Sequence, residues 1–190
     1  MKRNVYYWMC LLLTLGLFSA CNSDDETVKS EGGSAQDELL IYEKDWTGVE
    51  YSEGNYLAED PDWSYYRATD EGLAITNPSL NHNVWQVRVL NIPIDGSNIF
   101  LKEGHEYFVR LTIKIPSDGS IFMQLGYLTS SWYDFALVTA SDSWQVIDID
   151  SPHYYPDLSN DGQVAHVLLG LGEMIGTTVL KKVQVYERVK

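Results

Sequence analysis

A period of two runs through most of this 190-residue chain. Tyr107, Val109, Leu111, Ile113 and Ile115 alternate with Phe108, Arg110, Thr112 and Lys114. Ile121, Met123 and Leu125 alternate with Phe122, Gln124 and Gly126, and Ala165, Val167, Leu169 and Leu171 with His166, Leu168 and Gly170. Thr177, Val179, Lys181, Val183 and Val185 form a further set. Successive side chains of a strand point to opposite faces, so each run predicts a strand with one apolar face. Residues 83–92 and 143–149 also read as strands. Asp95-Gly96, Glu103-Gly104, Ser117-Asp118-Gly119 and Asp161-Gly162 stand between the runs, where Asp and Gly suit tight turns. No segment of ten or more residues carries the helical period. About nine or ten strands, each apolar on one side, predict an all-β fold of two stacked antiparallel sheets with solvated outer faces.

The first residues carry an address. Met1-Lys2-Arg3 is positive, residues 5–18 are mostly apolar, and Ser19-Ala20-Cys21 follows. The apolar run is shorter than the ~20 residues that span a bilayer, so residues 1–20 read as a signal peptide. Small residues directly before a cysteine resemble the bacterial lipobox, which predicts cleavage before Cys21 and lipidation of its thiol. The acyl chains would anchor the protein to a membrane. Residues 21–38 have no period and no aromatic residue, and read as a flexible acidic tether; the folded domain is expected over 39–190. Asp24-Asp25-Glu26 resembles the export signal of Bacteroidota surface lipoproteins. It predicts an outer-membrane, lipid-anchored protein facing the cell exterior.

Charge and chemistry then exclude several functions. The leader holds two of the 13 basic residues and none of the 27 acids, so its removal moves the net charge from −14 to −16. That balance is wrong for nucleic acid and for a polybasic membrane patch, and it points to a neutral ligand. Both cysteines, Cys10 and Cys21, lie in the leader region, so the body has neither a disulfide framework nor a thiolate metal site. His82, His105, His153 and His166 show no metal spacing. The glycines Gly170, Gly172 and Gly176 lead into a strand and not a helix, which fits a turn and not a dinucleotide site. Asp157-Leu158-Ser159-Asn160-Asp161-Gly162 imitates half a calcium loop, but its twelfth position is Leu168. Asp148 and Asp150 have the spacing of a hydrolytic acid pair, yet they read as a solvated strand edge. No catalytic set, no metal and no cofactor is expected.

Read in order, the segments carry a resemblance. Trp63-Ser64-Tyr65-Tyr66 precedes Glu71-Gly72-Leu73-Ala74-Ile75-Thr76, then Asn83-Val84-Trp85-Gln86-Val87-Arg88-Val89-Leu90. The segments at 101–110, Ser143-Trp144-Gln145, 163–172 and 179–185 follow. From about residue 46 to 187 the set resembles the carbohydrate-binding modules of families four, nine and twenty-two, the CenC-like group. The resemblance implies a galactose-binding-like jelly roll whose concave sheet takes a glycan chain. On it, Gln86, Arg88, Gln124 and His166 would hydrogen-bond sugar hydroxyls, and Tyr66 and Tyr133 would stack on sugar rings. Trp85, Val87, Val89 and Trp144 are assigned to the core. Gly170 departs from the family's polar position. Leu180-Lys181-Lys182-Val183 lacks the acid that holds the family's structural calcium.

The implied function is a non-catalytic surface lipoprotein that binds a neutral polysaccharide or oligosaccharide, with surface glycan-uptake proteins as partners. Two alternatives use the same scaffold: a structural or adhesive surface protein without sugar binding, and a jelly-roll lyase or hydrolase.

Overall fold

The computed structural model describes residues 37–48, 65–79, 89–94, 101–127, 132–153, 155 and 164–189. Cys21, Gln86, Arg88, Trp85 and the loop 157–162 lie outside them. The described residues form β1 (Asp37–Asp45), β2 (Tyr66–Thr69), β3 (Gly72–Asn77), β4 (Val89–Pro93) and β5 (Glu106–Ile115). Then come β6 (Gly119–Gly126), β7 (Asp134–Val138), β8 (Ser141–Ser151), β9 (His166–Gly170) and β10 (Gly176–Val189). All pairings are antiparallel. One sheet has six strands, in the order β2-β3-β10-β5-β8 with β1 also on β10; the other has four, β4-β9-β6-β7. The fold is the expected all-β jelly-roll sandwich. β1 begins at Asp37, inside the stretch read as tether, because Asp37 pairs with Val189.

The 14-residue β10 organises the larger sheet. One of its edges pairs with β5. The other edge is shared: Gly176 to Leu180 pair with β3, and Lys182 to Val189 pair with β1. A bulge separates the two halves between Leu180 and Lys182. It resets which side chains face inward. Thr178 and Leu180 are buried before it, and Val183, Val185 and Glu187 after it. The single odd-numbered alternation expected over residues 177–185 is therefore broken at Lys181. The Trp46 backbone N–H donates to the Lys181 carbonyl at 2.9 Å and closes the bulge.

Between the sheets, Leu90, Ile92, Ile121, Met123, Leu125, Val167 and Leu169 meet Ile75, Val109, Leu111, Ile113, Leu180, Val183 and Val185. Burying each of these side chains contributes ~1.5–3 kcal/mol, which is what drives the alternating sequence into two layers. In β4 the core residues are Leu90 and Ile92, the opposite parity from the inward Val87 and Val89 expected.

The outer face of the larger sheet is closed by its own charges. Phe108 and Tyr186 stack with ring centroids 4.9 Å apart. The Arg110 guanidinium lies over both rings, and Arg188 over Phe108. Arg110 forks onto Asp148 at 2.7 and 2.8 Å, and Arg188 reaches Asp150 at 2.5 Å. The bonds to Asp148 raise the Arg110 pKa. Asp148 and Asp150 are thus each paired with an arginine. Trp144 is not in the core as expected. It lies half-buried on this outer face, with Lys114 at 4.7 Å and Lys181 at 5.4 Å from its ring centre. Two lysine stems can cover an indole from the solvent side, so apolar character alone did not send it inward.

Candidate functional site

The outer face of the four-stranded sheet has a different chemistry. Ile121, Met123 and Leu125 on β6 and Val167 and Leu169 on β9 point into the core. The residues between them face away. Register then fixes the rows across the sheet. Asn91, Leu168 and Gln124 lie side by side, as do Pro93, His166 and Gly126. Gly170, Phe122 and Phe135 form the next row, followed by Ser120 opposite Leu137. The Ser120 hydroxyl donates to the Glu173 carboxylate at this far end.

β7 is one of the two edge strands of this sheet and carries exposed apolar groups. Tyr133, just before it, is 48% exposed, Phe135 56% and Leu137 91%. Tyr133 and Phe135 flank the buried Phe122 ring at 4.8 and 5.8 Å. Phe122 sits directly opposite Gly170, which offers no side chain to compete for the space. The glycine that removes a polar group from this face thus leaves room for an aromatic floor.

The polar groups gather at the other end. Gln124 and Asn91 are buried although they belong to an outward face. His166 is half-buried, and its Nδ1 is 2.6 Å from Asn91 Oδ1. Burial lowers the His166 pKa below the ordinary histidine value, so the ring is neutral at pH 7. A neutral ring that donates from Nδ1 keeps a lone pair on Nε2. The depressed pKa also links His166 to stability. The unfolded chain takes up the proton near pH 6.5 and the folded one only at lower pH. Stability from this group is therefore complete above pH 6.5 and is lost as pH falls toward the depressed value. Urea unfolding of the parent and His166→Gln between pH 5 and 7 should show a steeper loss in the parent; parallel curves would contradict the linkage.

Of the expected sugar-contacting residues, Gln124, Tyr133 and His166 share this face. Tyr66 does not join them: it pairs with Ile75 on the other sheet, faces the core and is 6% exposed. Gln86 and Arg88 lie outside the described residues. The expectations omitted Asn91, Phe122, Phe135 and Leu137. A usable signal was present, since residues 133–138 read Tyr-Asp-Phe-Ala-Leu-Val, apolar on both faces in a chain where one apolar face per strand is the rule.

Two other clusters tie segments together. His153 Nε2 lies 2.9 and 3.0 Å from the Asp134 carboxylate oxygens, and Trp132 stacks on the His153 ring. The Tyr155 ring meets Trp132 and Tyr107 edge-on, and its hydroxyl lies 2.5 Å from Ser151 Oγ. At the sandwich end, buried Glu187 takes Lys102 and His105, beside a cavity of about 180 Å³. The Lys102 backbone N–H donates to the Tyr107 hydroxyl, whose pKa burial pushes up to about 12. Among the described residues no three His, Cys, Asp or Glu side chains converge as metal ligands.

No protein-family model matches the chain. No curated protein matches it either. Solved structures do. The apo structure of BiXyn10A CBM1 is similar at 14% identity and a TM-score of 0.55, covering 77% of this chain and 96% of that one. The second N-terminal cellulose-binding domain of Cellulomonas fimi β-1,4-glucanase C is similar at 15% identity and a TM-score of 0.55, covering 82% and 97%. At this identity the likeness establishes a shared sandwich fold.

Proposed function

We propose that this chain is a non-catalytic carbohydrate-binding protein that takes a neutral polysaccharide or oligosaccharide on the outer face of its four-stranded sheet. The observation that carries this reading is the pairing of exposed rings, Tyr133 and Phe135, with Gln124, Asn91 and His166 on one sheet face. An aromatic ring packs on the C–H face of a pyranose, and amides and a neutral imidazole match its hydroxyls. A solved domain of similar fold is named as cellulose-binding, which supports the same ligand class. The opposite outer face, where arginines and acids already satisfy each other, offers a glycan far less. We place the protein at the outer membrane, anchored through lipid on Cys21 and facing outward, beside glycan-uptake proteins.

Titration of β-glucan, xylan and mannan oligosaccharides into the protein tests this by calorimetry. Affinity should grow with chain length and vary little with salt, because the contacts are not ionic. Tyr133→Ala and Phe135→Ala should each weaken binding about tenfold or more, the effect of ~1.4 kcal/mol of lost ring contact. A broad panel without binding, or two variants that bind like the parent, would sink the reading. One observation favours an adhesive role instead: Leu137, almost fully exposed, is an apolar group with no polar use. That alternative gains if Leu137→Ser abolishes attachment to a protein partner while sugars never bind.

A further inference from the structure

We propose that Asn91 holds the His166 imidazole with its proton on Nδ1, so that Nε2 becomes an obligatory acceptor for one sugar hydroxyl. Asn91 is then a positioning residue, acting on the ligand through His166. The inference rests on the glycan reading of this face, but its geometric half can be tested without any sugar.

The argument starts from register. Asn91 pairs with Leu168, so His166, two residues before Leu168 in β9, is its diagonal neighbour on the same face. The 2.6 Å contact joins His166 Nδ1 to Asn91 Oδ1. An amide oxygen only accepts, so the shared proton must sit on Nδ1. The ring is neutral, which leaves Nε2 deprotonated, and among the described residues it has no hydrogen-bond partner. The Asn91 amide nitrogen likewise carries two donor hydrogens with no acceptor among the described residues. The pair therefore presents one acceptor and one donor side by side, the complement of a sugar hydroxyl that donates and accepts.

Protonation would convert Nε2 to a donor and remove the acceptor. Among the described residues, the groups that could disturb this titration are few. From β4 the ring faces Asn91 and Pro93, and from β6 it faces Gln124 and Gly126. None of these is titratable. The acid at the far end of β6, Glu173, is held by Ser120, and Leu168 is the next outward residue of β9 itself. Burial is the cause of the depressed histidine pKa.

The test combines nitrogen-detected NMR of the His166 ring with oligosaccharide titration. In the unligated parent at pH 7.5 the ring should show a protonated Nδ1 and a bare Nε2. Asn91→Ala should shift the ring toward the Nε2–H tautomer and weaken oligosaccharide binding about tenfold. Asn91→Asp should restore the Nδ1–H tautomer, because a carboxylate also accepts, and should move the midpoint of the pH profile upward. Parent affinity should fall as pH drops through the His166 titration measured in the same sample, and His166→Gln should lose that pH dependence. An Nε2–H ring in the parent, which a reversed Asn91 amide would produce, overturns the proposal. So does an Asn91→Ala ring identical to the parent's. If the ring behaves as expected but no sugar binds, the glycan reading has failed and takes the recognition half with it, while the tautomer assignment stands.

Discussion

Gly72→Ala should destabilise the fold by on the order of 3 kcal/mol, a large share of the ~5–15 kcal/mol typical of a domain. Gly72 opens β3 at φ +147°, a conformation that residues with a Cβ rarely adopt. An added Cβ would lie 2.5 Å from the Leu180 carbonyl oxygen and 3.0 Å from Lys181 Cα. Both are backbone atoms of the bulge in β10, and no rotamer change can move them aside. The hairpin is also fixed on its other side, where Thr69 Oγ1 donates to the Gly72 carbonyl and accepts from its N–H. Relief would require parting β3 from β10 or undoing the bulge. Gly104 provides the control: its φ is +76°, but nothing lies within 4 Å of an added Cβ. Gly104→Ala should cost only ~1 kcal/mol, the intrinsic penalty of a left-handed residue. Denaturant midpoints of the two variants decide the matter. Equal shifts would mean that the close approach at Gly72 relaxes freely.

Leu111→Ala should cost about 2–5 kcal/mol. Leu111 is fully buried on β5, between Val183 of β10 and Ile147 of β8. Strands hold it from both sides, so the surroundings have little freedom to collapse into the space left behind, which places the cost in the upper part of that range. Leu137→Ala, at the exposed end of the scale, should change stability by less than about 0.5 kcal/mol. A Leu111 variant as stable as the Leu137 variant would show that the core repacks around the deletion.

The strands were legible because a half-buried strand writes its two environments into alternate residues. The same alternation puts Gln124 and His166 in the outward phase, between Met123 and Leu125 and before Val167, while their naming as sugar contacts came from the resemblance. The rule failed where a strand has no contrast between its faces. Phe135 and Leu137 alternate with Ala136 and Val138, so β7 gives no phase and these two exposed side chains went unseen. It failed again at Lys181, because a bulge shifts the phase without any marking residue. Asn91 was missed because the phase expected in its strand was the reverse of the one Leu90 and Ile92 adopt. Tyr66 and Trp144 went to the opposite of their expected places. Both are amphipathic rings whose place depends on their partners, Ile75 across the β2–β3 hairpin for the first and two lysines at least thirty residues away for the second.

The position of β10 has a consequence for how the protein comes into being. It is made after the other nine described strands, and it is the strand on which β1, β3 and β5 all depend. The other described strands can all be synthesised while the larger sheet still lacks its centre. Through that interval β1, β3 and β5 each carry an open hydrogen-bonding edge, and early hydrophobic collapse has no fixed register to settle into. Contacts between the first strand and the last also make closure slow once it becomes available. Until β10 is made, the larger sheet lacks the strand that would lock the others together, and the chain stays free to be threaded.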